Sequence, residues 1–438
     1  MIYDNLVKNI NPIKNVENKV TFYFVKGPFV EIKGPKEADY RVEFINQKTG
    51  AVLYRANIKN NCWCKCSIEY FVDWKIVIYE NDKIWFEDYY DAKNKRVYIA
   101  LDSKALGDSL AWFPYLEEFR KQHQCELIVS TFMNDMFVGQ YPEIQFVAPG
   151  DVVSNLYAMY GVGLYYNEDG SVNGLKNPTD PKSQTMQKMC SDILGIEFKE
   201  IKPKIKNRPV KEDHNLKQIC IGIHGTAQSK FWNNPNGWQS VVDWLNNRGY
   251  TVKLLSKEGD DYMGNKLPHG IVKHPNGPLE LVMDEMKKSK AFIGIGSGLS
   301  WLSWALDVPT VLISGFSYKW AEMEDCIRIT APTGKCEGCF NRLKLDAGDW
   351  NWCPDHKGTE RQFEWRVFNL LQIEGVDKIV VFDSDDSLRK HLQEYEPDIF
   401  VIGDEYMYKP IIGGEYAKEI KFFGKLDGFS TTKLLEDE

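Results

Sequence analysis

Residues 97–130, VYIALDSKALGDSLAWFPYLEEFRKQHQCELIVS, decide the fold class. The apolar run 97–101 has the character of a strand buried on both faces. An amphipathic helix follows in SLAWFPYLEEFRKQHQ, and CELIVS supplies a second strand. Strand, helix, strand is the order of a parallel sheet with helices laid against it. A helix-like turn and the run IQFVAP (144–149) continue the rhythm, and 175–196 reads as a connecting helix that ends at Leu194-Gly195.

A second alternating block follows the polar, proline-containing linker KPKIKNRPVKEDHN (202–215). Its strands are predicted at 219–224, TVKLLS, AFIGIG and TVLISG, and its helices at 238–247, PLELVMDEMKKSK and GLSWLSWAL. Two doubly wound blocks predict two α/β domains facing across a cleft, with ligands at the carboxyl ends of the strands. Upstream, residues 20–90 alternate apolar and polar positions between turn signals at Lys26-Gly27-Pro28, Lys48-Thr49-Gly50 and Asn81-Asp82. That pattern predicts a small antiparallel β sandwich or barrel. Residues 334–365 break the pattern and are rich in Cys, Asp and Trp. The tail resumes an α/β rhythm with DKIVVFD, SLRKHLQEY and DIFVIG. The expected partition is a β domain at 1–94, Rossmann-like domains at 95–202 and 203–333, a cysteine finger at 334–365 and a tail at 366–438.

The length of 438 residues fits about three domains, and 43% hydrophobic residues can build a real core. A net charge of −8 argues against a broad basic surface for nucleic acid or anionic membrane. No run of about 18 apolar residues exists to span a bilayer. The polar start lacks the apolar segment of a secretory signal. The chain is therefore expected in the cytoplasm, where its ten cysteines read as metal ligands or core residues rather than disulfides.

Four motifs carry potential chemistry. In Ala105-Leu106-Gly107-Asp108-Ser109-Leu110, directly after the first strand, Asp108 is either a helix N-cap or a base that accepts a hydroxyl proton. Gly222–Trp232 runs from a strand into a small-residue loop and then Lys230, which suits a diphosphate or is a solvated loop with a surface lysine. Gly294-Ile295-Gly296-Ser297-Gly298-Leu299-Ser300 opens a helix, as a phosphate loop or a plain tight turn. It lacks the Gly-Lys-Ser/Thr of a Walker loop. Cys336-x2-Cys339 with Cys353 downstream has metal-ligand spacing, with His356 the nearest further ligand, or is three reduced cysteines in a loop. Cys62, Cys64 and Cys66 alternate along a strand and read as structural.

The blocks GDSLAWFPYLEEF (107–119), IGIHGTAQSKFWNNPNGW (221–238) and GIGSGLSWLSWALDVPTVLISGFS (294–317) resemble the heptosyltransferases of the GT-B fold. CEGCFNRLKLDAGDWNWCPDHKGTERQFE (336–364) resembles the cysteine finger of the bacterial autotransporter heptosyltransferases. GPFVEIKG and YRVEFINQKTGAVLYRANI resemble the β block of that subfamily. The resemblance covers residues 20–365. It implies an α/β fold of GT-B type, with a small antiparallel β domain preceding the two Rossmann-like domains. It also implies an inverting transfer of heptose from a nucleotide-activated donor, ADP-heptose, to serine hydroxyls of autotransporter proteins. Asp108 would be the catalytic base. Lys230 would contact the donor diphosphate with Thr226 in the same loop, and Ser297, Gly298 and Leu299 would form the phosphate loop. Cys336, Cys339 and Cys353 would hold a structural iron, or zinc, and the chain would form a homo-oligomer, a dodecameric ring. Catalysis itself would need no divalent metal, because a lysine and a helix N-terminus already face the charge.

The sequence departs from the family pattern at Trp365, where a fourth cysteine is expected after Phe363-Glu364; either His356 completes the site instead or the finger folds without metal. The segment 397–438 resembles the carboxyl half of a cytidylyltransferase-like nucleotidyltransferase. It includes the Ser430-Thr431-Thr432-Lys433 end but lacks the His-x-Gly-His half, which implies an inactive remnant, a docking module or an extra binding surface. Two other functions fit the same motifs: a heptosyltransferase acting on a lipopolysaccharide core, and a non-catalytic GT-B binding module.

Overall fold

Alternating apolar residues lay down the amino-terminal strands of the computed structural model. They are β1 (Asn9–Asn11), β2 (Lys19–Val25), β3 (Phe29–Lys33), β4 (Asp39–Asn46), β5 (Val52–Lys59), β6 (Cys62–Lys65), β7 (Trp74–Glu80) and β8 (Lys83–Tyr89). Strands β5-β4-β7-β8 form an antiparallel sheet. Tyr40, Val42 and Phe44 of β4 and Trp74, Ile76 and Ile78 of β7 are buried in the core.

The other strands of this region join the first α/β half instead of closing a sandwich of their own. That half contributes β9 (Arg96–Leu101), α1 (Leu106–His123), β10 (Glu126–Ser130), α2 (Asn134–Phe137), β11 (Ile144–Val147), β12 (Ala158–Val162) and α3 (Met186–Leu194). The sheet runs β11-β10-β9-β12-β2-β3-β6, with β1 on β2. Strand β2 lies parallel to β12 and antiparallel to β3. The reason is in its side chains. Val20, Phe22 and Phe24 bury one face, while Val25 and Tyr23 pack with Ile128 and Leu156 on the other. A strand apolar on both faces belongs inside a sheet.

The second half contributes β13 (Gln218–Gly222), α4 (Gly237–Asn246), β14 (Thr251–Leu254), β15 (Ile271–Lys273), α5 (Leu279–Lys288), β16 (Ala291–Ile295), α6 (Gly298–Ala305), β17 (Thr310–Ile313) and β18 (Ile327–Ile329), followed by α7 (Cys339–Arg342). Its sheet is parallel throughout, in the order β15-β14-β13-β16-β17-β18. The winding direction reverses between β13 and β16, and in the first half between β9 and β12. Such reversals open crevices at the carboxyl ends of the strands.

Helix α1 is buried through its middle, with Trp112, Phe113, Tyr115 and Leu116 in the core. It packs on α3 within its own half and on α6 of the other. Trp112 Nε1 donates to the Met186 carbonyl at 3.1 Å. One hydrophobic core therefore runs through both halves.

The residues described are 9–11, 18–207, 209, 216–232, 234, 236–260, 262, 266–330, 337–343, 378, 380, 382 and 384–424. They fall into two compact units, 1–259 with 267–344 and 260–266 with 345–438. In the second unit, α8 (Asp385–Tyr395) starts at Ser384, whose side chain accepts from the Ser387 N–H. Strands β19 (Ile399–Gly403) and β20 (Glu419–Phe423) pair in parallel. Most of DKIVVFD and the Ser430–Lys433 end lie outside the described residues.

Candidate functional site

The loop leaving β9 turns at Ser103 and enters α1 through Ala105, which is extended and offers no side-chain cap. Asp108 is the third residue of the helix, so it is not the N-cap. Its carboxylate is held by Ser103: Oγ donates to Asp108 Oδ2 at 2.7 Å and accepts the Ala105 N–H at 3.0 Å. The one hydroxyl proton of Ser103 is committed to Oδ2, which leaves Oδ1 for other partners. Burial pushes the Asp108 carboxyl above the usual aspartate range, against the pull of the Ser103 hydrogen bond and the Lys230 charge.

Lys230 comes from the other half. Strand β13 ends at Gly222, and the loop beyond it is anchored by the fully buried Ala227, whose carbonyl accepts the Lys230 N–H at 3.1 Å. The half-buried ammonium stands 5.0 Å from the centre of the Phe316 ring. Burial lowers the Lys230 pKa, while the carboxylates of Asp108 and Glu322 act to raise it. The two residues singled out for opposite roles therefore feel each other's charge across the crevice. Thr226 lies exposed on the same loop.

The third motif starts α6. Ser297 is extended at the N-cap position but makes no capping bond, and its Oγ is buried with no hydrogen-bond partner among the described residues. A buried, unpartnered hydroxyl beside the open N–H groups of a helix start suits an anionic oxygen. Leu299 packs toward Gly222, whose β-carbon position lies 3.5 Å from Leu299 Cδ1. At Gly298, a β-carbon would stand 2.9 Å from Leu106 Cβ, and at Gly107 one would stand 2.9 Å from Trp301 Cδ1. The starts of α1 and α6 thus meet, and a β-carbon at Gly225 would lie 3.2 Å from Ile295 Cδ1, ahead of α6, and 3.4 Å from Lys230 Cδ.

Two residues of the site escaped sequence reasoning. Ser103 has a local signal, a serine two residues past a strand end, where its hydroxyl can hold a turn. Glu322 has none, since AEMED reads as a solvated charged stretch. It is buried, with Oε2 accepting from Arg328 Nη1 at 2.5 Å and from Ser314 Oγ at 3.2 Å.

Of the finger, Cys339 is described, while Cys336, Cys353 and His356 lie outside the described residues. Cys339 is buried at the start of α7, and its Sγ donates to the Phe316 carbonyl at 3.6 Å. Gly338 N and Phe340 N bond to the carbonyls of Gly315 and Phe316, both at 2.9 Å. On the other side, Asn341 Nδ2 donates to the Lys182 carbonyl and Lys182 Nζ to the Leu343 carbonyl, both at 2.8 Å. Among the described residues no three His, Cys, Asp or Glu side chains gather to hold a metal. Cys64 and Cys66 are buried, and burial pushes the Cys64 thiol up to about 12. No helix among the described residues is long and apolar enough to cross a membrane.

Comparison with known proteins agrees with this architecture. Residues 182–319 match the family model of glycosyltransferase family 9 (heptosyltransferase). The autotransporter heptosyltransferase Aah of Escherichia coli is 32% identical over 380 residues, covering 83% of this chain and 94% of that protein. The crystal structure of the iron-containing dodecameric glycosyltransferase TibC from enterotoxigenic E. coli superposes with a TM-score of 0.72 at 30% identity, over 82% of this chain and 93% of that one. TibC in complex with ADP-D-beta-D-heptose superposes with a TM-score of 0.71 at 29% identity and the same coverage. The tail fits a shorter match to the bifunctional protein HldE of Helicobacter pylori, 41% identical over 71 residues, which are 16% of this chain and 15% of that protein.

Proposed function

The chain belongs to the autotransporter heptosyltransferases, and on that premise we propose that it moves heptose from ADP-heptose to serine hydroxyls of an autotransporter protein, with inversion at the anomeric carbon. The observation that carries this reading is the opposition of Asp108 and Lys230 at the carboxyl ends of β9 and β13, each shifting the other's pKa. A carboxylate poised to take a proton and a cation poised to take a leaving diphosphate are what glycosyl transfer needs.

In this mechanism Asp108 Oδ1 accepts the proton of the acceptor hydroxyl while Ser103 holds Oδ2. The hydroxyl oxygen bonds to the anomeric carbon as the bond from that carbon to the diphosphate oxygen breaks. ADP departs with the extra negative charge. Lys230, the Ser297 hydroxyl and the N–H groups of Gly298 and Leu299 receive it, and Thr226 offers a further hydroxyl from its loop. Fixed donors at a half-buried site stabilise that charge without reorganising.

The finger is assigned a structural iron held by Cys336, Cys339 and Cys353, with His356 as the fourth ligand. Thiolates in a C-x-x-C pair suit a soft or borderline metal, and the similar TibC is iron-containing. A dodecameric ring is the proposed assembly, supported by likeness to TibC over most of both chains. The proposed site of action is the cytoplasm. The proposed partition assigns 334–365 to the finger and 366–438 to the tail. The tail, which lacks a His-x-Gly-His half, is an inactive remnant, a docking module or an extra binding surface.

The test is co-expression with an autotransporter passenger followed by intact-mass and peptide mass spectrometry. Heptose on passenger serines is the expected result. Heptose found only on lipopolysaccharide core would favour the glycan-directed reading. No transfer by a folded protein that still binds ADP-heptose would favour the binding module.

A further inference from the structure

Gly296 ends the strand β16 side of the phosphate loop and has no side chain, yet its side-chain space is occupied. A β-carbon built there would lie 2.5 Å from Oε1 of Glu322. The carboxylate reaches this place from the segment between β17 and β18. Its other oxygen is fixed by Arg328 of β18 and by Ser314 at the end of β17. Arg328 is itself tied down, since its Nη2 donates to the Met323 carbonyl at 2.9 Å. Glu322 is thus a buried acid with one oxygen anchored and the other delivered to the position a residue-296 side chain would fill, at the carboxyl end of a central strand. It also sits close enough to Lys230 to act on its charge.

We propose that Glu322 is a specificity-determining residue of the donor site, whose Oε1 accepts hydrogen bonds from hydroxyls of the transferred sugar. This rests on the reading of the site as one for a nucleotide-activated heptose. The chemistry chooses among the parts of such a donor. A carboxylate repels a diphosphate, so Oε1 does not face the phosphates that Lys230 and α6 receive. A polyhydroxylated ring presents hydroxyl donors to a fixed, acceptor-only carboxylate. Arg328 and Ser314 hold Oε2 and keep the acid oriented. Gly296 is needed because any side chain there would displace Oε1.

The consequence is a split between two ligands. ADP lacks the transferred heptose and should bind Glu322→Gln and Glu322→Asp as it binds the parent, within about twofold. ADP-heptose should bind both variants at least tenfold more weakly, as expected for hydrogen bonds to a charged group. Glu322→Asp keeps the charge beside Arg328 while withdrawing the carboxylate from Gly296. Gly296→Ala keeps the Glu322 residue but displaces its Oε1, and should lower ADP-heptose affinity. Titration calorimetry with the full-length protein, ADP and ADP-heptose reads all three variants. Equal weakening of both ligands would make Glu322 a structural support of the site or a contact of the ADP ribose and overturn the inference, as would unchanged ADP-heptose affinity in all three. A parent protein that binds ADP but not ADP-heptose would overturn the proposed function and this inference with it.

Discussion

Gly298 rests directly on Leu106: a β-carbon on the glycine would stand 2.9 Å from the leucine Cβ and 3.3 Å from the Gly107 nitrogen. The atoms in the way belong to backbone and a β-carbon, which cannot swing aside as the tip of a flexible side chain can. Gly298→Val should therefore force α1 and α6 apart, at a cost of about 1–3 kcal/mol. Calorimetry should show a lowered Tm, and donor affinity should fall with it. A variant as stable as the parent would mean that the two helix starts do not touch.

Asp108→Ala should remove transfer while leaving the fold and ADP-heptose affinity largely intact. Loss of a general base typically lowers rates by about 10²–10⁴. Single-turnover assays on an autotransporter acceptor measure this. Transfer at the parental rate would remove Asp108 from the chemistry.

The wild-type pH profile should be narrower than ordinary side chains give. Asp108 is raised, so the active carboxylate form is lost, as pH falls, at a higher pH than the usual aspartate value of about 3.9. Lys230 is lowered, so its cation is lost, as pH rises, below the usual lysine value of about 10.4. The Ser103 hydrogen bond favours the ionised carboxylate. Ser103→Ala should therefore move the acid limb further up in pH without moving the alkaline limb. A downward move would contradict the geometry at Oδ2.

Lys230→Ala should weaken ADP-heptose binding and slow transfer together, because the diphosphate gains charge as it leaves. Equal donor affinity and equal turnover in the variant would place Lys230 outside the site.

Much of this was readable from residue order. The βαβ rhythm around 97–130 and 219–315 reports burial, and burial is what assembles a parallel sheet. The motif residues follow strands because open α/β sheets place ligands there. Strand β2 was harder. Its alternation within 20–90 matches an antiparallel neighbour, β3, but the partner on its other edge, β12, lies over a hundred residues away and shares no local signal. Residue type placed Asp108 at a helix start but could not separate a cap from the third helical position, since one residue of shift in the helix boundary decides it. Glu322 was invisible for a related reason: its meaning depends on a missing side chain at Gly296, a contact between segments that sequence order does not join.

Acid should destabilise the protein through His123. Its ring packs between Phe71, Tyr90 and Phe119, with centroid separations of 4.9, 5.6 and 4.3 Å. Burial lowers its pKa to about 4. Between the unfolded value near 6.5 and that folded value, the unfolded chain binds a proton that the native one does not. Stability should therefore fall as pH drops through this window, by at most about 3 kcal/mol at roughly 1.4 kcal/mol per unit. Thermal melts at pH 7.5 and 4.5 test it. His123→Phe should lose less Tm between the two than the parent does; an equal loss would exonerate the histidine.

Helix α7 touches both halves of the catalytic unit, through the Gly315 and Phe316 carbonyls on one side and Lys182 on the other. The Met186 N–H adds a bond of 3.1 Å to the Ala321 carbonyl. A jaw that swung wide between turnovers would have to break these bonds each time and unpack Trp301 from Gly107. These bonds tie the two halves at one spacing when the chain folds.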